Sequence, residues 1–388
     1  MSVHEPSFRR SVRQSLSASP PGSVLTLYEF TLLTAVCAKT CFFMPTDLFP
    51  IGKHIAELFL NASQTCLAEY AESDQETPRA DSITIRYLHS NCLHTNAKPI
   101  AAWHGFGEAL RLVQRMRLHD EGSYTSLDPV EAEMRRRAFW QVYCGDKSLA
   151  VLRSMPMTLI DYSFEDGISA RYPSSDNDGL TLGTNAGIQL WRYAADLILR
   201  IRVNKSDKRS DPHAPLSPTE RSILSDLYIR FATCLDDLPS HLLPESVPSS
   251  SVSSDEYGRS AARFAVQTAD LHTTYHCLKM YVTQQLEGID YFSHTIEGNE
   301  MLLLQKTEIA RDMVRLLQSI PFWSLQISGE PCAEKIRLVG ASLLAMIQEP
   351  SCLSPPLVAR ARRDFNVLLD ILSRLDSRAS ESLRQECI

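Results

Sequence analysis

The side chains closest to metal-ligand spacing are His272 and His276, one helical turn apart with Cys277 adjacent. His89, Cys92 and His94 form a second group. Two imidazoles at i and i+4 share one helix face, but Thr273, Thr274 and Tyr275 stand between them. The glutamate of a metal-protease helix is therefore missing. A tetrahedral zinc site needs three or four converging ligands, so both groups read as core or surface residues. Asp236 and Asp237 are adjacent acids at a helix end followed by Pro239, without the third carboxylate that would hold magnesium and a diphosphate. The chain has neither a nucleophile elbow nor a phosphate loop, and Gly105-Phe106-Gly107 lacks a third glycine and a preceding strand. No acid, base, nucleophile and metal converge, and an enzyme is not expected.

Charge and cysteine usage narrow the classes further. Lys plus Arg number 39 against 46 Asp plus Glu, a net charge of −7 in 388 residues. No global basic field is present to hold nucleic-acid phosphates. Basic clusters are confined to Arg9, Arg10 and Arg13, to Arg135 through Arg137, and to Arg360, Arg362 and Arg363. The ten cysteines are scattered, which fits a reducing, intracellular setting and gives no cofactor framework.

These residues must be positioned by helices. Apolar residues recur at helical period and strand alternation does not, so the fold class is all-α. The reading is a single large helical domain over 24–350, after a disordered tail at 1–23 and before a helical extension at 351–388. Ser/Pro-rich loop insertions fall at 203–218 and 245–256. Val24 to Met44 is interrupted by Glu29 and Lys39, too short an apolar run to cross a bilayer, and reads as a buried helix.

After Pro99, the pattern places Ile100, Trp103, Gly107, Leu110, Val113 and Arg117 on one helix face. Asp128, Pro129 and Glu131 give the clearest start signal, a cap with a capping box. Glu131 with Arg135 and Glu133 with Arg137 are i,i+4 pairs in the favourable order. Replacing an exposed arginine of this trio should cost a few tenths to about 1 kcal/mol. Ser217-Pro218-Thr219-Glu220 repeats the start signal. Further helices are expected over about 182–203, 259–285, 302–320, 332–347 and 356–375. Trp103, His104, Trp140 and Tyr143 read first as core packing, since aromatics dominate cores, and second as candidate lining for an apolar pocket.

Gly105 to Gly122, GFGEALRLVQRMRLHDEG, and Ser126 to Leu159, SLDPVEAEMRRRAFWQVYCGDKSLAVLRSMPMTL, resemble the regulatory middle region of fungal zinc-cluster transcription factors. In that family a helix ending in LGLHR leads to a P.E.EMRRR.FW pattern, then Tyr, Asp, Ala and a Gly-Arg-Pro turn. Glu131, Glu133, Met134, Arg135, Arg136, Arg137, Phe139, Trp140, Tyr143, Asp146, Ala150, Pro156 and Leu159 match it. The likeness extends from about Leu25 to Ile347. It departs at Lys147, where Arg is usual, and at Ser154-Met155-Pro156, which replaces Gly-Arg-Pro.

The resemblance implies a nuclear, all-helical regulatory region in a pathway regulator of transcription. Its implied partners are proteins of the transcription machinery or a DNA-binding regulator, with a metabolite effector and a homodimer also allowed. The family's six-cysteine cluster holding two zinc ions has no counterpart in the first 36 residues, so no cofactor and no direct base reading are expected of this polypeptide. A cytosolic small-molecule-binding protein on the same scaffold, or a truncated gene model of a zinc-cluster activator, is the alternative.

Overall fold

The computed structural model describes residues 2–20, 24–174, 179–210, 216–246, 256–292, 296–348 and 355–375. Among them are twelve α-helices, four short 3-10 turns and no strand, so the all-α expectation is met. The chain divides into two compact units, Met1–Leu149 with Pro156–Ser174, and Ala150–Met155 with Ser175–Ile388, whereas the sequence pattern reads one domain.

The first unit holds α1 (Glu5–Ser17), α2 (Leu27–Phe43), α3 (Gly52–Glu76), α4 (Ala80–Thr95), α5 (Pro99–Arg115) and most of α6 (Pro129–Leu152). Residues 5–17, expected as disordered tail, form α1 with Pro6 in its first turn. Ahead of it, buried Ser2 bonds Thr84 Oγ1 and Gln141 Oε1, each at 2.8 Å. Thr26 and Glu29 form a full capping box that starts α2 inside the run read as buried helix. Only one side of α2 is buried, through Thr31, Thr34, Ala35, Ala38 and Cys41, while Leu27 and Phe30 are exposed. The face α5 buries is Ala102, Phe106, Ala109, Leu110 and Val113. Ile100 and Trp103, expected on that face, point to solvent, a correction to the predicted helix phase.

Helices α3 and α4 have no clean apolar period because α4 buries polar groups that find partners. Arg86 pairs with Asp74 at 2.5 Å, His89 bonds Ser63 at 2.7 Å, and Ser90 donates to the Ala102 carbonyl at 2.7 Å. Burial of such groups is tolerated only when they are hydrogen-bonded.

The second unit holds α7 (Leu180–Ser210), α8 (Pro218–Ala232), α9 (Glu256–Glu287), α10 (Ile296–Ser319), α11 (Phe322–Gln348) and α12 (Pro355–Arg374). The core is built from α9 to α12 around residues such as Met280, Met313, Leu343 and Phe365, with Leu152 from the end of α6 packed against it. Helix α12, read as a C-terminal extension, is part of this core. Residues 203–210, expected as loop, continue α7. The remainder of both expected insertions lies largely outside the described residues, at 211–215 and 247–255. Ser217 caps α8, accepting the Glu220 N–H at 3.1 Å. Helix α11 begins at Phe322, nearly three turns earlier than expected. It bends at Gly329, whose φ is 65°, because Pro331 cannot supply the ladder donor. Where α7 meets α9, a Cβ on Gly183 would come within 2.4 Å of the Gln267 amide, so a larger residue there would have to swing that side chain away from the Leu180 carbonyl it bonds.

Candidate functional site

Helix α6 carries nearly all of the signature, and its start shows how the residues are used. Asp128 Oδ1 accepts the Val130 N–H at 2.9 Å and the Glu131 N–H at 3.3 Å, as a cap should. The other half of the expected capping box is not made by Glu131. Its carboxylate instead accepts the Ala80 N–H at 3.0 Å, satisfying the open N-terminus of α4, and the Arg135 Nε at 2.7 Å. Arg135 also donates to the Pro78 carbonyl at 3.3 Å.

The next turn ties two distant segments to α6. Arg136 bonds Glu121 at 2.6 Å and Glu133 at 3.1 Å, and its guanidinium lies 4.8 Å from the Tyr124 ring centroid. Glu121 in turn accepts the Arg171 N–H at 2.7 Å. Glu133 accepts the Arg137 Nε at 2.8 Å and the Ser174 N–H at 3.1 Å. The expected pairing of the trio with the helix's own glutamates is made, but the three arginine side chains are only 13–18% exposed, so the trio has no exposed member whose replacement would cost little. Burial among carboxylates raises the value of these contacts above that of surface pairs.

Phe139, Trp140 and Tyr143 are buried and mutually packed, with Trp140 edge-on to both Phe139 and Tyr143. The Trp140 indole N–H donates to the Arg171 carbonyl at 2.7 Å. Met134 is buried beside them in sequence and Ala150 further along the helix. The segment held by Trp140, Glu121 and Glu133 is also pinned by its own backbone. The His119 carbonyl accepts the Ser169 and Ala170 N–H groups, both at 2.9 Å, and the His119 ring stacks on Phe164 at 4.0 Å.

Lower on α6, Gly145 stands where an added Cβ would meet the Phe106 ring at 2.8 Å, so close approach to α5 requires glycine. One residue on, the buried Asp146 carboxylate accepts the N–H groups of Thr158 at 3.0 Å and Leu159 at 3.1 Å. Lys147, 1% exposed, pairs with Asp146 at 2.7 Å, donates to the Leu159 carbonyl, and lies 4.3 Å from the Tyr143 ring centroid. The lysine that replaces the family's usual arginine thus keeps a fully committed charge.

Two positions that align with glycines of the family pattern, Ser154 and also Arg117, share a backbone geometry. Arg117, at the glycine of LGLHR, has φ 52°, and Ser154, at the glycine of Gly-Arg-Pro, has φ 54°. Arg117 ends α5 in a Schellman turn, with the Leu118 N–H bonded to the Val113 carbonyl at 3.1 Å. Left-handed backbone explains why glycine suits both places. Pro156, two residues after Ser154, is exposed.

Of the four residues proposed to line a pocket, Trp140 and Tyr143 are core, whereas Trp103 is 48% exposed and the His104 side chain 76% exposed. The structure does not bring them together as an enclosed site. His104 instead lies 3.7 Å from Glu108 on its own helix. His272 bonds the Leu242 carbonyl at 2.9 Å, and burial lowers its pKa and drives that of His276 down to about 3. His89 is likewise lowered to about 4 by burial. Neither histidine group forms a set of three or more ligating side chains among the described residues.

The contributions that sequence reasoning missed are those of Glu121, Thr158, Arg171 and Ser174. They serve through backbone groups or lie up to 50 residues from their partners, where helix spacing gives no signal. Each of Glu121, Glu131 and Glu133 is committed to a guanidinium and a backbone N–H. The site is therefore chemically a brace for residues 119–124 and 156–174 rather than a set of groups positioned on a substrate.

A brace built from this signature has relatives. Over 160 residues the chain is 29% identical to the aurofusarin cluster transcription factor aurR2 of Gibberella zeae, covering 40% of this chain and 23% of that protein. Over 81 residues it is 40% identical to the citrinin biosynthesis transcriptional activator ctnR of Monascus purpureus, covering 20% of this chain and 13% of that protein. Over 106 residues it is 30% identical to the transcription factor FBD3 of Gibberella moniliformis, covering 27% and 14%. The matched stretches are under a quarter of each relative's own length. No solved structure matches the chain. The family model described as fungal specific transcription factor domain matches residues 2–212, which includes the whole of α6 and both segments it braces, and the chain belongs to that family.

Proposed function

We propose that this chain is the helical regulatory body of a transcription regulator serving one fungal biosynthetic pathway, and that it works in the nucleus. The observation that carries the reading is the signature on α6, in which Glu133, Arg136, Trp140 and Asp146 hold residues 119–124 and 156–174 while Glu131 and Arg135 hold residues 78–80. The names of two relatives, tied to aurofusarin and citrinin, support a secondary-metabolite gene cluster as the target. No helix among the described residues is long and apolar enough to cross a membrane, which accords with that setting.

Base reading is assigned to a separate zinc-cluster module, on the same polypeptide or on a partner. Supporting this are the scattered spacing of the ten cysteines and the net charge of −7 within these 388 residues. The chain itself acts through protein partners, with no metal of its own. Deleting the coding gene and measuring genome-wide transcripts tests the proposal. A coherent change across one contiguous set of biosynthetic genes is expected, and unaltered transcripts under producing conditions would contradict it.

A further inference from the structure

The arginines near the C-terminus are absorbed neither by the signature nor by the family match, which ends at residue 212. On α12, Arg360, Arg363 and Asp364 follow i, i+3, i+4 spacing and share a face. On α10, Glu308, Arg311, Asp312 and Arg315 do the same. The two faces meet: Arg360 bonds Glu308 at 2.6 Å, and Arg311, Arg315, Arg360 and Arg363 all act electrostatically on Asp364. Four guanidinium groups and three carboxylates thus share the seam where α10 meets α12 in the second unit.

The pairing within this seam is incomplete. Arg315 is engaged with Asp312 at 3.2 Å and Arg360 with Glu308, but Arg311 and Arg363 make no hydrogen bond or ion pair among the described residues. Arg360 Nε and Asp364 Oδ2 are each buried atoms without a partner. An orphaned donor and an orphaned acceptor one turn apart on α12 suit a ligand that can both accept and share a proton. Burial raises the pKa of Asp364 in spite of the surrounding positive charge, so its carboxyl is disposed toward sharing a proton.

We infer that the arginine cluster where α10 meets α12 is a binding site for a phosphate group, which accepts from Arg311, Arg360 and Arg363 and shares a proton with Asp364. Planar guanidinium forks match phosphate oxygens two at a time. Asp364 makes the site selective, since a fully ionised oxyanion such as sulfate has no proton to share and would meet the carboxylate as a like charge. The same chemistry could come from free phosphate or from a phosphorylated side chain of a partner.

Calorimetric titration of the full chain at matched ionic strength tests the site. Inorganic phosphate should bind saturably, and sulfate about tenfold more weakly or worse. Arg311→Gln with Arg363→Gln should abolish phosphate binding while leaving the unliganded melting temperature close to that of the unaltered chain. Arg363→Gln alone, on an exposed side chain, should weaken it measurably. Asp364→Asn should narrow the preference for phosphate over sulfate. A phosphoserine peptide binding more tightly than free phosphate would identify a phosphorylated partner as the source, and equal binding would identify free phosphate. Absence of binding, equal affinity for phosphate and sulfate in the unaltered chain, or an unaffected double variant would each overturn the site.

Discussion

Trp140 and Arg171 lie 31 residues apart, and the indole N–H of the first donates to the backbone carbonyl of the second at 2.7 Å. The contact fastens a segment lacking regular structure to the middle of α6. Trp140→Ala removes both the buried ring and this donor and should cost about 3–5 kcal/mol. Trp140→Phe keeps most of the ring volume and orphans the carbonyl, so its cost should be smaller, about 1–3 kcal/mol. Equilibrium denaturation of both variants checks the order.

Glu133 receives Arg136, Arg137 and the Ser174 N–H on a side chain only 14% exposed. Its replacement by Ala leaves two largely buried guanidiniums short of their partner and should destabilise by about 3 kcal/mol. The exposed pair Arg9–Glu5 is a control on α1, where Arg9→Ala should cost no more than about 0.5 kcal/mol. Parallel urea titrations would separate the two, and equal costs would place the α6 network among ordinary surface pairs.

Glycine should improve the chain at Arg117 and Ser154. Both residues have φ above 50°. The left-handed conformation costs a side-chain-bearing residue about 1–2 kcal/mol, against the 0.5–1 kcal/mol of extra entropy that glycine loses on folding. Arg117→Gly and Ser154→Gly should each stabilise by up to about 1 kcal/mol, read as a higher denaturation midpoint at unchanged slope.

Acid should weaken the fold through His89 and His276. Burial holds their folded-state pKa at about 4 and about 3, below the ordinary value of 6.5. Between those values and 6.5 the unfolded chain binds more protons, so stability rises with pH across this window and is lost as pH falls from 6.5 toward 4. The unfolding free energy measured at pH 7.5 and pH 5 should drop less in a His89→Gln, His276→Gln double variant than in the unaltered chain.

The legible parts of this structure are those governed by local rules. Helix α6 was readable because Asp128, Pro129 and the i,i+4 acid–base pairs are signals within one element, and α8 was readable from Ser217 for the same reason. Helix α4 gave no such pattern, since Arg86, His89 and Ser90 are buried by partners on α3 and α5 that spacing along α4 cannot reveal. The phase of α5 failed at Ile100 and Trp103 because apolar type alone does not say which side of a helix finds a partner. The brace was half legible: its arginines and glutamates could be paired along the helix, but their second bonds, to Ala80, Arg171 and Ser174, belong to tertiary structure.

Tethering the full chain to a heterologous DNA-binding domain upstream of a reporter in a fungal host, with and without Glu133→Ala, tests the central claim most directly. The account predicts that the unaltered chain changes reporter expression, up or down, relative to the DNA-binding domain alone, and that Glu133→Ala removes the change at equal protein level. Reporter expression indistinguishable from that of the DNA-binding domain alone, or unaffected by loss of the brace, would contradict it.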